Sequence, residues 1–223
     1  MTVFYLIRHG ETDWNATGRW QGHADVPLNE NGREQARRLG ARLRREGVRF
    51  DAIYSSDLQR AWATATIIGA ALSTQPQPLV ALREIDVGRW SGLTGAEVAA
   101  LDGEILARLE SGEDVPRGGA ERFADLYSRA VSAVNRVLAM HPNGTVALVT
   151  HGGVVRALLL HAARDKSDVS VRRAHVGNTA LSILIHGRGG WDFGAINDMS
   201  HLEGGPLVPD VTSDAPDDAE RPL

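Results

Sequence analysis

Two places in the sequence put cationic and imidazole side chains directly after an apolar segment. Val3–Ile7 runs into Arg8 and His9, and Thr145–Thr150 runs into His151. A guanidinium beside a ring nitrogen suits a site that receives an anion. Each histidine is followed by glycine, once in the first case and twice in the second. The paired glycines let a ligand approach the backbone and leave helix N–H groups free to bind it.

Two further candidates come from the segments between these histidines. Arg60 lies one turn into a predicted helix, and Glu84 lies in the loop after Pro78–Leu82. Two guanidiniums, two imidazoles, a carboxyl and a helix N-terminus are the parts that phosphoryl transfer needs. The arginines bind the dianion, an imidazole acts as the nucleophile, and a carboxyl protonates the departing oxygen. Repulsion from the bound dianion helps to keep that proton on Glu84.

The elements that must position these groups alternate between strands and helices. The pattern predicts an α/β sandwich around a mostly parallel sheet, in which ligands bind beyond the carboxyl ends of the strands. Asp57 is the predicted N-cap of the helix that carries Arg60. The predicted strands are Val3–Ile7, Asp51–Tyr54, Thr145–Thr150, Thr179–Ile185 and Trp191–Ile196. The predicted helices are Asn29–Gly47, Leu58–Leu72, Ala96–Leu101, Ile105–Glu110, Arg122–Met140 and Val154–Arg164.

Composition narrows the classes of protein that fit. The 223 residues include no cysteine, which excludes disulfides and thiol catalysis. The net charge of −4 is that of residues 209–223, which hold five acids and one arginine, so the rest of the chain is neutral. A neutral body predicts no nucleic-acid partner. No signal peptide or membrane span is apparent, and we expect a cytoplasmic protein with no membrane partner.

Other functions fit parts of the same set. His9, His151 and Glu84 could form a two-histidine, one-carboxylate site for a divalent metal. Two arginines beside a metal would repel it, and activity in the presence of a strong chelator would reject this alternative. A non-catalytic module that binds a phosphorylated ligand is a second alternative, which predicts binding without turnover. Taken singly, each residue has an ordinary structural use; the joint occurrence at strand ends favours a site.

Five stretches carry a resemblance to a known family. RHGETDWN, GRWQGHADVPLNENGREQA, SSDLQRAWATA, LREIDVGRWSG and VTHGGVVRAL occur in this order and resemble the histidine phosphatase superfamily, the phosphoglycerate mutase-like clan. The resemblance covers about residues 3–200. It implies a three-layer α/β/α sandwich over residues 1–200 with a helical lid insertion at about 85–118. Residues 201–223 are then expected to form a flexible acidic tail.

The resemblance also implies a role for each site residue and no metal or other cofactor. His9 would be the phosphorylated nucleophile, and Glu84 would be the proton donor and later the base for water. The phosphate pocket and its rim would comprise Arg8, Asn15, Gln21, Gly22, Arg60, His151 and Gly152.

The residues after Glu84 favour a phosphatase over a mutase. The mutase branch has an Arg-His-Tyr-Gly type stretch there, with a lysine and arginines that hold a carboxylate. This chain has Ile85-Asp86-Val87-Gly88 instead, and its first lysine is Lys166. The segment 117–121, RGGAE, resembles a Gly-Gly-Glu-Ser motif with one residue altered. The expected substrate is a small phosphorylated metabolite; mutase or sugar bisphosphatase activity, and a homodimer, are left open.

Overall fold

A computed structural model describes residues 1–164 and 176–203, which contain one six-stranded sheet. Its strands lie in the order β3-β2-β4-β1-β5-β6. β3, β2, β4 and β1 are parallel to one another, whereas β5 and β6 are antiparallel additions at one edge. This confirms the predicted, mostly parallel sheet. The strands are β1 Thr2–Arg8, β2 Ala52–Ser55, β3 Pro76–Pro78, β4 Thr145–Thr150, β5 Leu181–Gly187 and β6 Gly190–Phe193.

Helices cover both faces of this sheet because its central strands are apolar on both sides. In β1, Phe4 and Leu6 are buried in one core, and Ile7 is buried in the other. α2 and α3 pack on the Ile7 face, and α5 and α6 pack on the opposite face. The result is the expected α/β/α sandwich. The helices are α1 Asp13–Ala16, α2 Glu30–Arg45, α3 Gln59–Leu72, α4 Gly95–Glu110, α5 Phe123–Met140 and α6 Gly152–Ala163.

Residues 85–118, the expected lid, contribute side chains to the core that also contains residues of α5 and α6. Trp90 is fully buried, and Val98 and Leu109 lie in the same core. The two short helices predicted here form α4, whose backbone leaves helical geometry at Asp102 (φ −136°, ψ 40°). The Asp102 carboxylate accepts hydrogen bonds from the Trp90 indole and from Arg89. The segment is thus anchored in the domain, and its action as a lid stays a prediction.

The structure differs from the sequence-based prediction at two further places. Asp57 does not cap α3, which begins after Leu58 with no side-chain cap; the Asp57 carboxylate instead binds the Arg83 guanidinium at 2.8 and 2.5 Å. A charged partner out-competes a backbone N–H for the carboxylate. The edge strand β3 was not predicted because two of its three residues are prolines, which sheets accept only at edges.

Lys166 lies outside the described residues, and so do all but the first three residues of the acidic tail predicted for 201–223. Within residues 1–164 and 176–203, no helix is both long enough and apolar enough to cross a membrane.

Candidate active site

His9 sits just beyond the end of β1 and is held by hydrogen bonds to two main-chain carbonyl oxygens. It is 3% exposed, and its amide donates to the carbonyl of Thr150 at 2.8 Å. The ring Nδ1 lies 2.6 Å from the carbonyl oxygen of Gly10. Because a carbonyl can only accept, Nδ1 carries the proton and Nε2 keeps its lone pair. The ring is thereby fixed in the tautomer that an Nε2 nucleophile requires.

The loop that carries His9 is pressed against the start of α2. A Cβ at Gly10 would lie 2.4 Å from the carbonyl oxygen of Gly32, so only glycine permits this approach. The Gly10 amide donates to Thr64 Oγ1 at 3.0 Å, and the Glu11 amide donates to Gln35 Oε1 at 2.9 Å. These contacts from α2 and α3 make the position of the loop rigid.

Arg60 lies fully buried near the start of α3 and links three parts of the site. Its guanidinium donates to the carbonyls of Gly22 at 2.7 Å and Ala24 at 2.6 Å. Its Nε donates to Nδ1 of His151 at 3.2 Å. Burial lowers the pKa of Arg60 to about 10, so it still carries a positive charge at neutral pH.

His151, the N-cap of α6, faces His9 with the opposite tautomer. Because Nδ1 accepts from Arg60, Nε2 carries the proton and donates to Ser56 Oγ at 2.9 Å. The two imidazole rings lie 5.1 Å apart, centroid to centroid. Burial, followed by the positive charge of Arg60, holds the pKa of each histidine well below its usual range. Both rings are therefore neutral at physiological pH.

The first two residues of α6, Gly152 and Gly153, lie close to the other two charged candidates, Arg8 and Glu84. The Gly153 amide donates to Glu84 Oε2 at 3.2 Å, while Glu84 Oε1 accepts from the Ile85 amide at 2.9 Å. A Cβ on Gly152 would lie 3.7 Å from Nε of Arg8, so that guanidinium lies beside the same helix start. Arg8 also donates to the carbonyl of Val176. A cation, a carboxyl and the N-terminus of a helix therefore share one edge of the sheet.

The expected rim residues have more definite structural roles. Gly22 has a φ of +49°, and a Cβ there would lie 2.6 Å from a Val87 methyl, so glycine is needed to present its carbonyl to Arg60. Gln21 is 9% exposed, and its Oε1 has no hydrogen-bond partner in the part of the chain that the structure describes. Oε1 is thus a free acceptor in the turn that seats Arg60.

Asn15 is committed to its own loop. Its Oδ1 accepts from the amide and hydroxyl of Thr12 at 3.1 and 3.0 Å, in a capping box at the start of α1. Nδ2 of Asn178 lies 3.5 Å from the same oxygen and donates to the carbonyl of His9 at 3.0 Å. Contact between Asn15 and a phosphate stays a prediction.

Some residues that build the site were not singled out from the sequence. Ser56 fixes the His151 ring, and Thr64 holds the Gly10 amide. Asn178, just before β5, donates its side-chain amide to the His9 carbonyl. Thr179, beside it, donates its amide to the carbonyl of His9 and has a φ of +55°, which is strained for a β-branched residue. A serine directly after β2, in the same relation to its strand as His9 to β1, is the signal that could have identified Ser56.

The structure thus brings His9, His151, Arg8, Arg60 and Glu84 together through hydrogen bonds and shared neighbours. Among residues 1–164 and 176–203, no group of three histidine, aspartate or glutamate side chains has an arrangement that could hold a metal ion. His9, His151 and Glu84, the residues of the alternative metal site, form no such group.

Comparison with known proteins gives one consistent result. A sequence profile of the histidine phosphatase superfamily (branch 1) matches residues 4–199. The metal-independent phosphoserine phosphatase of Arabidopsis thaliana is 36% identical over 207 residues, covering 91% of this chain and 84% of that protein. Bacillus stearothermophilus YhfR has a similar structure, with a TM-score of 0.81 and 35% identity, over 91% of this chain and 100% of that one. A histidine-to-alanine mutant of Entamoeba histolytica phosphoserine phosphatase, in complex with phosphoserine, has a TM-score of 0.76 and 29% identity, with the same coverage.

Proposed function

The chain belongs to branch 1 of the histidine phosphatase superfamily, and from that premise we propose that it hydrolyses phosphomonoesters of small metabolites. The reaction passes through a covalent phosphohistidine on His9, with Glu84 as the proton donor. The observation that carries the proposal is the hydrogen bond from Nδ1 of His9 to the Gly10 carbonyl. That bond leaves a buried, neutral ring with the Nε2 lone pair available for attack.

The substrate phosphate binds where the positive groups converge. Arg8, Arg60 and the positive end of the α6 dipole offset the two negative charges of the phosphoryl group. They continue to do so as charge spreads over the equatorial oxygens in the transition state. His151 is neutral and adds no positive charge to the site. Its ring lies between Ser56 and Arg60, and it holds the Arg60 guanidinium, which carries the charge, in place.

In the first step, Nε2 of His9 forms a bond to phosphorus as the bond from phosphorus to the ester oxygen breaks. Protonated Glu84 transfers its proton to that oxygen, and the alcohol leaves neutral. In the second step, the Glu84 carboxylate takes a proton from water, whose oxygen attacks phosphorus. The P–N bond breaks, inorganic phosphate is released, and His9 and Glu84 return to their starting protonation states.

The substrate class follows from the relatives and from the residues after Glu84. Two similar proteins are named phosphoserine phosphatases, one of them in complex with phosphoserine. Phosphoserine and phosphoglycerate-type compounds, in which a small carboxylated molecule carries one phosphate, are therefore the first substrates to test. Ile85-Asp86-Val87-Gly88 offers no cation to retain a carboxylated intermediate. Water should then reach the phosphohistidine, which favours hydrolysis over mutase chemistry.

Product analysis tests this proposal. The chain is incubated separately with phosphoserine and 3-phosphoglycerate, and inorganic phosphate, serine and 2-phosphoglycerate are measured. We expect phosphate release without accumulation of 2-phosphoglycerate, and its loss in a His9→Ala variant whose circular dichroism spectrum is unchanged. Formation of 2-phosphoglycerate without phosphate would establish a mutase. Binding of phosphoserine without turnover would establish a non-catalytic module.

A further inference from the structure

Glu84 lies on backbone that no regular element holds. It falls between a 3-10 turn at Val80–Leu82 and another at Gly88–Trp90. Its carboxyl hydrogen bonds to the main chain at the start of α6, but those bonds do not fix its own backbone. A proton donor must stay within hydrogen-bond reach of the leaving oxygen, and a shift of about 1 Å costs on the order of 10²-fold in rate. Something else must therefore hold this loop.

Arg129, on α5, makes that connection. Its guanidinium donates to the carbonyl oxygens of Ala81 at 2.9 Å, Arg83 at 2.6 Å and Glu84 at 2.7 Å. The planar fork of arginine can address three carbonyls from one fixed position, which the single ammonium of lysine does less well. His23 Nε2 donates to the Glu84 carbonyl at 2.8 Å from another direction. Two side chains from distant segments, those of Arg129 and His23, thus hold the backbone of Glu84.

Glu121 holds Arg129 in turn. Its carboxylate accepts from Nε and one terminal nitrogen of Arg129 at 2.7 and 3.0 Å. It also accepts from the Asp86 amide at 2.9 Å, and the Glu121 amide donates to the Asp86 carbonyl at 3.1 Å. The pair therefore grips the loop on both sides of Glu84. The side chains of Arg129 and Glu121 are mostly shielded from solvent, with 25% and 16% of their surfaces exposed, respectively.

We propose that Glu121 and Arg129 are positioning residues, which set the Glu84 carboxyl at the start of α6 for proton transfer. The inference rests on the proposed function, in which Glu84 protonates the leaving oxygen. It also assigns a purpose to the 117–121 segment. Gly118, at φ +53°, brings this segment so close to the Val87 carbonyl that a Cβ would lie 2.0 Å from its oxygen, and Glu121 lies three residues further along the chain.

A double-mutant cycle separates positioning from simple structural support. Arg129→Met, Glu84→Gln and the combination are assayed with phosphoserine, whose leaving alcohol needs protonation, and with 4-nitrophenyl phosphate, whose leaving phenolate does not. The readout is kcat/KM, which covers the steps up to phosphorylation of His9 and excludes the second step, in which Glu84 acts as the base for both substrates. We expect Arg129→Met to lower kcat/KM for phosphoserine by roughly 10- to 100-fold and for 4-nitrophenyl phosphate by less than about threefold. In the Glu84→Gln background it should cause no further loss, because there is no proton left to position.

The control removes an ion pair of similar burial elsewhere. Arg42 binds Asp198 at 2.6 Å on the opposite face of the sheet, with 15% and 23% of the side chains exposed. Arg42→Met should lower the melting temperature without changing the ratio of kcat/KM values for the two substrates. Glu121→Gln, which keeps the shape of its side chain, gives the same test should Arg129→Met fail to fold.

Two results overturn the inference alone. One is an equal loss of kcat/KM on both substrates in Arg129→Met and Glu121→Gln. The other is an undiminished loss when either change is added to Glu84→Gln. If Glu84→Gln itself lowers kcat/KM equally for both substrates, the acid role of Glu84 is wrong, and the proposed function fails together with the inference.

Discussion

A methyl group added at Gly153 would displace the Glu84 carboxyl with little effect on the fold. The Cβ of an alanine there would lie 2.5 Å from Glu84 Oε1, whereas ordinary contact begins near 3.4 Å. The nearest atom of the Leu126 side chain is 3.1 Å away, so both neighbours can give way slightly. Because the carboxyl is the end of a flexible side chain, we expect it to move by about 0.9 Å, the difference between these two distances.

The two effects of this substitution have opposite signs. Alanine favours a helix over glycine by up to about 1 kcal/mol, less in the first turn, so the melting temperature should hold or rise. A displacement approaching 1 Å at the proton donor should lower kcat/KM for alkyl phosphates by roughly 10²-fold. For 4-nitrophenyl phosphate the loss should be less than about fivefold, because its leaving group departs without a proton.

The assay compares kcat/KM over a series of phosphomonoesters with leaving groups of rising basicity, alongside thermal unfolding. Gly152→Ala is the matched control. Its Cβ would meet only the Arg8 side chain, at an ordinary 3.7 Å, so the dependence on the leaving group should keep its wild-type slope. Wild-type kcat/KM for alkyl phosphates in a stably folded Gly153→Ala variant would refute the reasoning.

Three further results are expected. Gly118→Ala should lower the free energy of unfolding by at least about 2 kcal/mol in urea, because of its positive φ and its contact with Val87; an unchanged value would contradict this. Burial, with nearby Arg42, lowers the pKa of His201 from 6.5 to about 4. At this residue only the unfolded chain then gains a proton as the pH falls below about 6.5, so His201 should contribute a loss of about 1–2 kcal/mol in stability between pH 7 and pH 5, and His201→Gln should remove that contribution. Turnover should be the same with and without excess chelator, and its loss on chelation, with recovery on adding a metal, would restore the metal-site alternative.

The sequence predicted the catalytic edge because that edge depends on simple geometry. His9 and His151 each follow a buried strand directly, and Arg60 lies in the first turn of the helix after β2. Parallel strands end at the same side of a sheet, so these residues had to meet there once the strand pattern was recognised. The near-continuous apolar runs in β1 and β4 made that recognition reliable.

The supporting contacts could not be predicted, because each joins residues from different elements whose separation in space the sequence pattern does not give. Arg129 lies 45 residues from Glu84 in the chain, and nothing in its helical pattern distinguishes it from a solvated arginine. Asp57 has the sequence signature of an N-cap, yet Arg83 lies close enough to take its carboxylate. Asn15 is a polar residue close to His9 in the sequence, but the Thr12 capping box engages its side-chain carbonyl oxygen.

The phosphoryl adduct itself tests the central claim most directly. The chain is mixed with phosphoserine, quenched within milliseconds in alkali, and digested, and the phosphorylated peptide is identified by mass spectrometry and ³¹P NMR. Because Nδ1 of His9 donates to the Gly10 carbonyl, we predict a phosphoryl group on His9 at Nε2. An adduct on His151, an adduct at Nδ1, or turnover with no adduct at any sampling time would contradict the account.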